Sequence, residues 1–379
     1  MSLELLSRFL RPGRIEETRA ERMPMESIYY VLCFACHRRC AHCYEERFRP
    51  YSRQRQSEVI ATAKRNFPRV IANLPDTMMY LDRRQPLPGG GFAQRVGRVI
   101  LSGGEVLLDG VREEILYPAL DALRLKYAEN GGVKLVVQTT GDLITPTIIG
   151  ELLDRGIWMI SVAGMDDFHS GMQGEKRAPL ERRLISLFEA AGMSASGHGA
   201  GERKASDEEG PLYSFFGATP DTWIGKLWPR GRAWANGLSS ATLADNFCNR
   251  WSGGLNFLDH AYSGSEVAIE PTGDVYPCCL KTKHPLGNLT QERLIDILDS
   301  LADHPAFQAI NRGAPEHMGL TLGWSVDRFF ERSKTVTPKG EPYGNLCIGC
   351  DAFHKEVLGS IIEDRRALRL GRRSAMAQQ

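Results

Sequence analysis

The chain has 379 residues, 42% of them hydrophobic, and its 47 Lys and Arg nearly cancel its 46 Asp and Glu, leaving a formal net charge of +1. That length buries a large core and suits a main domain with a smaller one. The near-neutral balance removes any electrostatic reason to expect nucleic acid as a partner. No apolar stretch approaches the ~20 residues that span a bilayer, so no membrane partner is expected. The opening Met1-Ser-Leu-Glu-Leu-Leu-Ser-Arg-Phe-Leu10 has no signal-peptide core or small-residue cleavage site. A cytoplasmic protein is the expectation, and there nine cysteines point to metal rather than disulfides.

Residues 1–25 read as a short amphipathic helix (Leu3, Leu6, Phe9, Leu10) and a Pro-interrupted lead-in. Ile28 to Leu32, apolar with β-branched and aromatic residues, reads as a buried strand. A capped helix runs from Ser57 to about Phe67. Pro75, Pro86, Pro88 and Gly89-Gly90-Gly91 mark residues 74–97 as a long loop or insertion. Strand character returns at Arg98 to Ser102 and runs into Gly103-Gly104-Glu105. A helix follows over 111–129, a strand over 133–139, a helix over 145–155 with Pro146 in its first turn, a strand over 157–162 and a helix over 179–191. This alternation predicts a parallel α/β architecture whose strand C-termini build the site. Residues 196–211 read as a polar, Gly-rich loop, and an aromatic stretch runs from Tyr213 to Trp234. Past about residue 236 the rhythm fades. A hairpin is expected around Pro271-Thr272-Gly273-Asp274, a helix near Leu294 to Ala302, and a basic, solvated end from Arg365 to Arg373.

The chemistry-bearing stretch follows the first strand: Cys36-His-Arg-Arg-Cys40-Ala-His-Cys43, a C-x3-C-x2-C pattern. Three thiolates on one loop suit an iron–sulfur centre, because soft sulfur favours iron–sulfur and zinc. Zinc, completed by nitrogen from His37 or His42, is the competing reading. Three cysteines on a four-iron cubane leave one iron for a ligand that is not protein. Downstream, the adjacent glycines Gly103 and Gly104 let backbone approach a ligand, and Glu105 offers a carboxylate to an ammonium group. The two motifs, in this order and both after strands, resemble the radical S-adenosylmethionine (radical SAM) family. The resemblance covers roughly residues 26–235 and departs in having Val106 where the family usually has proline. It implies an α/β fold, the partial (β/α)6 TIM barrel of that family. It also implies a [4Fe–4S] cluster on Cys36, Cys40 and Cys43 with SAM on the open iron, His42 near the adenine, and Gly103, Gly104 and Glu105 at the SAM amine. Polar contacts from Thr139 and Ser161, at strand ends, are the family's further pattern, with ordinary strand-end hydrogen bonds as the alternative. Arg230 and Arg232 are candidates to meet a carboxylate of SAM or of substrate, or are plain surface arginines.

Five cysteines remain. Gly273-Asp-Val-Tyr-Pro-Cys278 is a G-x4-C, and Cys347-Ile-Gly-Cys350 is a C-x2-C. With Cys248 they resemble the auxiliary-cluster extension called SPASM, or its shorter form Twitch. This implies a small α+β domain over 236–379 with a second, auxiliary [4Fe–4S] cluster on Cys248, Cys278, Cys347 and Cys350. A structural four-cysteine zinc site is the competitor. Cys33 reads as a buried thiol. Cys279, beside a proposed ligand, is an alternative ligand, a packed thiol or a substrate contact.

The resemblance implies an enzyme that reductively cleaves SAM and uses the radical on a small-molecule substrate, drawing electrons from a donor such as flavodoxin or ferredoxin. Peptide modification, and a non-catalytic iron–sulfur electron carrier, are the alternatives. Gly103-Gly104-Glu105 speaks against the carrier, which has no use for a SAM-amine site. Cys278-Cys279-Leu280-Lys281 also resembles an element of radical SAM synthases of arsinothricin, which implies transfer of the 3-amino-3-carboxypropyl group of SAM to trivalent arsenic. Thr282-Lys283 and Pro277 depart from that pattern.

Overall fold

A computed structural model describes residues 26–196, 209–217, 226–250, 257–260, 262 and 264–376. The expected lead-in helix over 1–25, most of the 196–211 loop and part of the aromatic stretch, Trp223 included, lie outside the described residues.

The strands, in chain order, are β1 (Ser27–Cys33), β2 (Met79–Pro86), β3 (Phe92–Val96), β4 (Arg98–Gly103), β5 (Lys134–Thr139), β6 (Met159–Ala163), β7 (Ser194–Ala195), β8 (Leu212–Phe216), β9 (Glu266–Ile269), β10 (Asp274–Tyr276) and β11 (Gly287–Asn288). Nine of them form one open sheet in the order β11-β10-β9-β1-β4-β5-β6-β8-β7. From β9 to β7 every neighbouring pair is parallel, as the strand–helix alternation predicts. All seven residues of β1 are buried, as its apolar run requires of a strand covered on both faces.

The helices that matter for the site are α1 (Arg53–Ala72), α2 (Tyr117–Tyr127), α3 (Pro146–Asp154), α4 (Arg177–Ala190) and α5 (Gly231–Ala235). Helix α1 begins at Ser52, whose side chain accepts from Arg55 N. Helix α3 begins at Thr145, which accepts from Ile148 N, with Pro146 at its first position. Both are the capping chemistry that satisfies orphan N–H groups. Ile60, Ala63, Phe67, Val70 and Ile71 of α1, Leu120 and Leu123 of α2, Ile149 and Leu152 of α3, and Leu184 and Phe188 of α4 join β1, β4, β5 and β6 in one core.

Two features differ from the sequence reading. Residues 74–97 are not a structureless insertion: β2 and β3 pair as an antiparallel hairpin. Pro88 and Gly89-Gly90-Gly91 lie in its turn, where Gly90 (φ 92°) and Gly91 (φ 78°) take conformations other residues resist. Sheet continuity also runs through the boundary expected near residue 235. Strand β9, from the C-terminal part, pairs parallel with β1 from Ser27↔Glu266 to Tyr30↔Ile269, and β10 returns antiparallel after Gly273 as the expected hairpin. The last helices, α6 (Leu346–Phe353) and α7 (Gly359–Met376), follow a small hairpin, β12 (Lys334–Val336) and β13 (Pro342–Gly344).

Candidate functional site

The loop after β1 is drawn back on itself by a bridge between Ala35 and Arg49 and by Cys36 N donating to Arg49 O. Within it Cys43 N donates to Cys40 O. Cys36 Sγ accepts from Arg38 N at 3.4 Å, and Cys40 Sγ accepts from Ser170 N at 3.5 Å. Burial pushes the Cys36 thiol up to about 12, with Glu105, Cys40 and Cys43 adding to it, and pushes Cys43 up to about 11. Cys36 and Cys43 thus resist ionisation, and with Cys40 they gather three soft sulfurs on one loop, which fits a cationic, thiophilic centre that displaces thiol protons.

Strand β4 ends against this loop. Gly104 N donates to Cys33 O, and Glu105 N to Ala35 O. A Cβ on Gly104 would lie 2.3 Å from Ala35 O and 2.8 Å from Cys36 Cβ. Glycine is therefore required for the two motifs to touch. Helix α5 closes the loop from the other side. Arg232 N donates to Cys43 O. The Arg232 guanidinium donates to three backbone carbonyls of the loop, Cys40 O (2.8 Å), Glu46 O (2.9 Å) and Phe48 O (2.7 Å).

Cys36, Cys40, His42, Cys43, Gly103 and Gly104 border a single cavity, whose empty space is about 1200 Å³ including its open mouth. Thr139, Arg232 and Cys279 border it too. Its floor is a hydrogen-bonded set that the sequence reading missed: Tyr29 Oη donates to Gln138 Oε1 (2.9 Å) and lies 2.8 Å from Ser102 Oγ and 3.5 Å from Tyr44 Oη. One wall is aromatic. His42 packs edge-on to His169 at 4.4 Å and tilted to Phe168 at 5.6 Å. Burial lowers His42 to about 4, with the His169 charge adding to it, so the ring is neutral. His42, Asp166 and His169 bring ligand atoms within 4.8 Å of one another. Asp166 Oδ1 is nonetheless committed to Phe168 N, His169 N and His169 Nδ1, so the trio is a packed wall.

Five of the expected site residues are held by contacts within the chain. The Glu105 carboxylate, 1% exposed, accepts from Leu107 N, Thr139 Oγ1, Thr140 N and Thr140 Oγ1 at 2.6–2.9 Å. A carboxylate offers about four acceptor sites. These donors come from Leu107 beside it and from Thr139 and Thr140 at the end of β5, so the carboxylate braces the two strand ends. Thr139 borders the cavity, but its hydroxyl serves Glu105 and Gly141 N. Ser161 pairs with Ser214 Oγ at 3.0 Å, away from the cavity lining. Arg232 clamps the loop as described. Arg230 belongs elsewhere: it pairs with Asp351 at 3.0 and 3.1 Å and donates to Leu280 O. The Thr140–Asp142 turn adds a tie that went unread, because Asp142 takes His37 at 2.7 Å and Arg38 at 2.9 Å from the cysteine loop.

Arg230 marks the second cysteine site. Its guanidinium is held by burial among Cys347, Cys350 and Cys278, whose charges it favours. Burial pushes Cys278 up to about 12 and Cys347 up to about 11, and holds Cys248 and Cys350 well above the ordinary thiol range. Within the set, Cys278 and Cys347 add to Cys248, and Cys248, Cys347 and Cys278 add to Cys350. The four thiols therefore converge, with a buried cation beside them, which fits an anionic cluster. The vicinal pair divides: Cys278 joins this set, whereas Cys279 borders the cavity. Cys33, 1% exposed, is a buried thiol.

Solved structures similar to this chain include BtrN in complex with AdoMet and 2-DOIA (14% identity, 78% of this chain and 89% of that one, TM-score 0.40). Others are anSMEcpe with bound AdoMet and the Cp18Cys peptide (13%, 89% and 98%, TM-score 0.38) and Streptococcus suis SuiB bound to S-adenosylmethionine (12%, 76% and 68%, TM-score 0.36). These likenesses are too distant to carry an argument about chemistry. Among curated protein sequences none matches the chain. Residues 262–317 match the family model of SPASM, an iron–sulfur cluster-binding domain. That stretch contains β9, β10 and the turn that delivers Cys278 to the four-cysteine set.

Proposed function

We propose that the chain is a radical SAM enzyme acting on a small-molecule substrate. In this reading Cys36, Cys40 and Cys43 hold a [4Fe–4S] cluster that binds SAM, and Cys248, Cys278, Cys347 and Cys350 hold an auxiliary one. The observation that carries it is a division of cysteines. Three thiols from one loop and the Gly103-Gly104 turn border the same cavity, while four others gather around Arg230. When bound, the first cluster and SAM supply one-electron cleavage of a sulfonium carbon–sulfur bond.

The chain's own residues bind and orient. The Gly103-Gly104 backbone packs against the cysteine loop and borders the cavity where the methionine end of SAM would lie. The neutral His42 ring, with His169, gives the adenine an aromatic wall. Tyr29, Ser102 and Gln138 present polar groups to substrate from a fixed floor. Glu105 is a positioning residue that fixes the Thr139–Thr140 backbone.

A second reading has one observation in its favour: Cys279 borders the cavity. There a soft thiol is available to trivalent arsenic, and SAM would donate its 3-amino-3-carboxypropyl group. Because Cys278 turns to the other site, the pair offers one thiol to the cavity and not two.

Anaerobic reconstitution with iron, sulfide, dithionite and SAM tests both. The main reading expects 5′-deoxyadenosine and methionine, with arsenite without effect. Release of 5′-methylthioadenosine on adding arsenite, lost in Cys279→Ala, establishes the second. No cleavage of SAM by fully loaded protein sinks both.

A further inference from the structure

Helix α6 carries Cys347 and Cys350, and His354 follows one turn later, its backbone N–H donating to the carbonyls of Cys350 and Asp351. At 3.6 residues per turn, positions i, i+3 and i+7 lie within roughly 60° of one another around the helix. Cys347, Cys350 and His354 therefore share a face. The His354 ring is fully buried, and neither ring nitrogen has a hydrogen-bond partner. Native interiors rarely leave both ends of an imidazole unsatisfied, and such an orphan calls for a missing partner. The neighbours narrow what that partner is. Burial, then the nearby charges of His284 and Arg230, hold His354 at about 3, so the ring is a neutral donor and acceptor. Arg230 is the same guanidinium that sits among the four thiols.

We infer that the His354 ring faces the four-cysteine site and donates its N–H to a sulfur of the cluster held there, tuning that cluster's potential. The inference rests on the iron–sulfur reading of this site. Hydrogen bonds to cluster and cysteinyl sulfurs are among the levers that set iron–sulfur potentials. A donor favours the reduced, more negative state. His354 thus makes the auxiliary cluster easier to reduce, and Arg230 acts in the same direction by charge.

The full chain with Cys36, Cys40 and Cys43 replaced by alanine isolates this site. Loaded with iron and sulfide and reduced, it is compared by pulsed EPR with the same protein carrying ¹⁵N-histidine. The expected result is a weak histidine nitrogen coupling that persists in His284→Gln and vanishes in His354→Phe. The His354→Phe cluster should be about tenfold harder to reduce, ~59 mV for one electron, and His354→Gln, which keeps an N–H, should recover part of that shift. Iron bound with no histidine coupling in the labelled parent overturns the inference even if no His354 variant folds. A coupling as large as that of directly ligated imidazole overturns it too, by making His354 a ligand. Zinc in place of iron overturns the iron–sulfur reading itself, and the inference with it.

Discussion

Cys36, Cys40 and Cys43 come from one short loop and border an open cavity, whereas Cys248, Cys278, Cys347 and Cys350 come from three distant segments and converge in the interior. Each site has its arginine, and the two arginines, separated only by Gly231, are used differently. Arg232 spends its guanidinium on three backbone carbonyls and so fixes the shape of the loop. Arg230 spends part of its guanidinium on Asp351 and lends its charge to the thiols. A three-thiol loop clamped by its backbone keeps a position open to a ligand from the cavity. A four-thiol site with a cation and a neutral imidazole is closed and holds charge. In the proposed reading the same ligand chemistry yields a site for exchange and a site for storage.

The comparison breaks most completely if the sites are not independent. Replacing Cys36, Cys40 and Cys43 together with alanine should abolish SAM cleavage and remove about half the iron, leaving about four irons per chain if each site holds one four-iron cluster. Iron analysis beside product assay decides it; loss of all iron would show that the second site depends on the first. The arginines sharpen the same contrast. Arg230→Met strands a partly buried Asp351 and strips the thiols of their cation, a loss of about 3 kcal/mol, and should empty the auxiliary site alone. Arg232→Met removes three charged hydrogen bonds at a more exposed position, about 2 kcal/mol, and should empty the first site alone. Mössbauer spectra of the two variants separate these outcomes, and equal losses at both sites would refute the division of labour.

Glu105 tests whether a motif residue is a ligand or a brace. Glu105→Gln places an amide N–H₂ where Thr139 or Thr140 now donates, so a buried donor faces a donor, at a cost of about 1–2 kcal/mol. Denaturant melts should show that loss without SAM. Unchanged stability with weaker SAM binding would return the carboxylate to the SAM amine.

The parallel strand–helix alternation, the cysteine loop and the Gly-Gly turn were legible because their signals are local: an apolar run, a spacing, a pair of glycines. The bracing of Glu105 was not legible because its four donors come from Leu107 beside it and from Thr139 and Thr140 at the end of the next strand. Nothing in Gly-Gly-Glu reveals that β5 ends there. Arg230 and Arg232 look alike in Trp228-Pro-Arg-Gly-Arg, and only the docking of α5 on the Cys43–Tyr44 backbone separates them; Gly231, at φ 52°, would bring a Cβ within 2.4 Å of Tyr44. The hairpin of β2 and β3 was hidden because its turn residues outnumber the signals of two half-buried strands. The parting of Cys278 from Cys279 depends on a tight turn after β10 that spacing does not encode.

That turn holds the smallest effect. Lys281, the residue after Leu280, is the one non-glycine with positive φ (62°) among the described residues. Its ammonium meets Glu45 at 2.5 Å and Glu270 at 2.7 Å, and Arg47 bridges the same two carboxylates. The network ties the segment after Cys43 to the strand before Cys278, so it links the two cysteine sites mechanically. The left-handed backbone costs an L-residue roughly 1–2 kcal/mol, and the paired carboxylates make that conformation worthwhile for lysine. Lys281→Met keeps the strain and loses the ion pairs, while Lys281→Gly loses the ion pairs and relieves the strain. Both should be destabilised, but the glycine variant less, by about 1 kcal/mol once the greater freedom of its unfolded chain is set against the relief. Urea midpoints at equal slope measure the difference, and a glycine variant no more stable than the methionine one would mean that the ion pairs do not hold the turn against its own backbone.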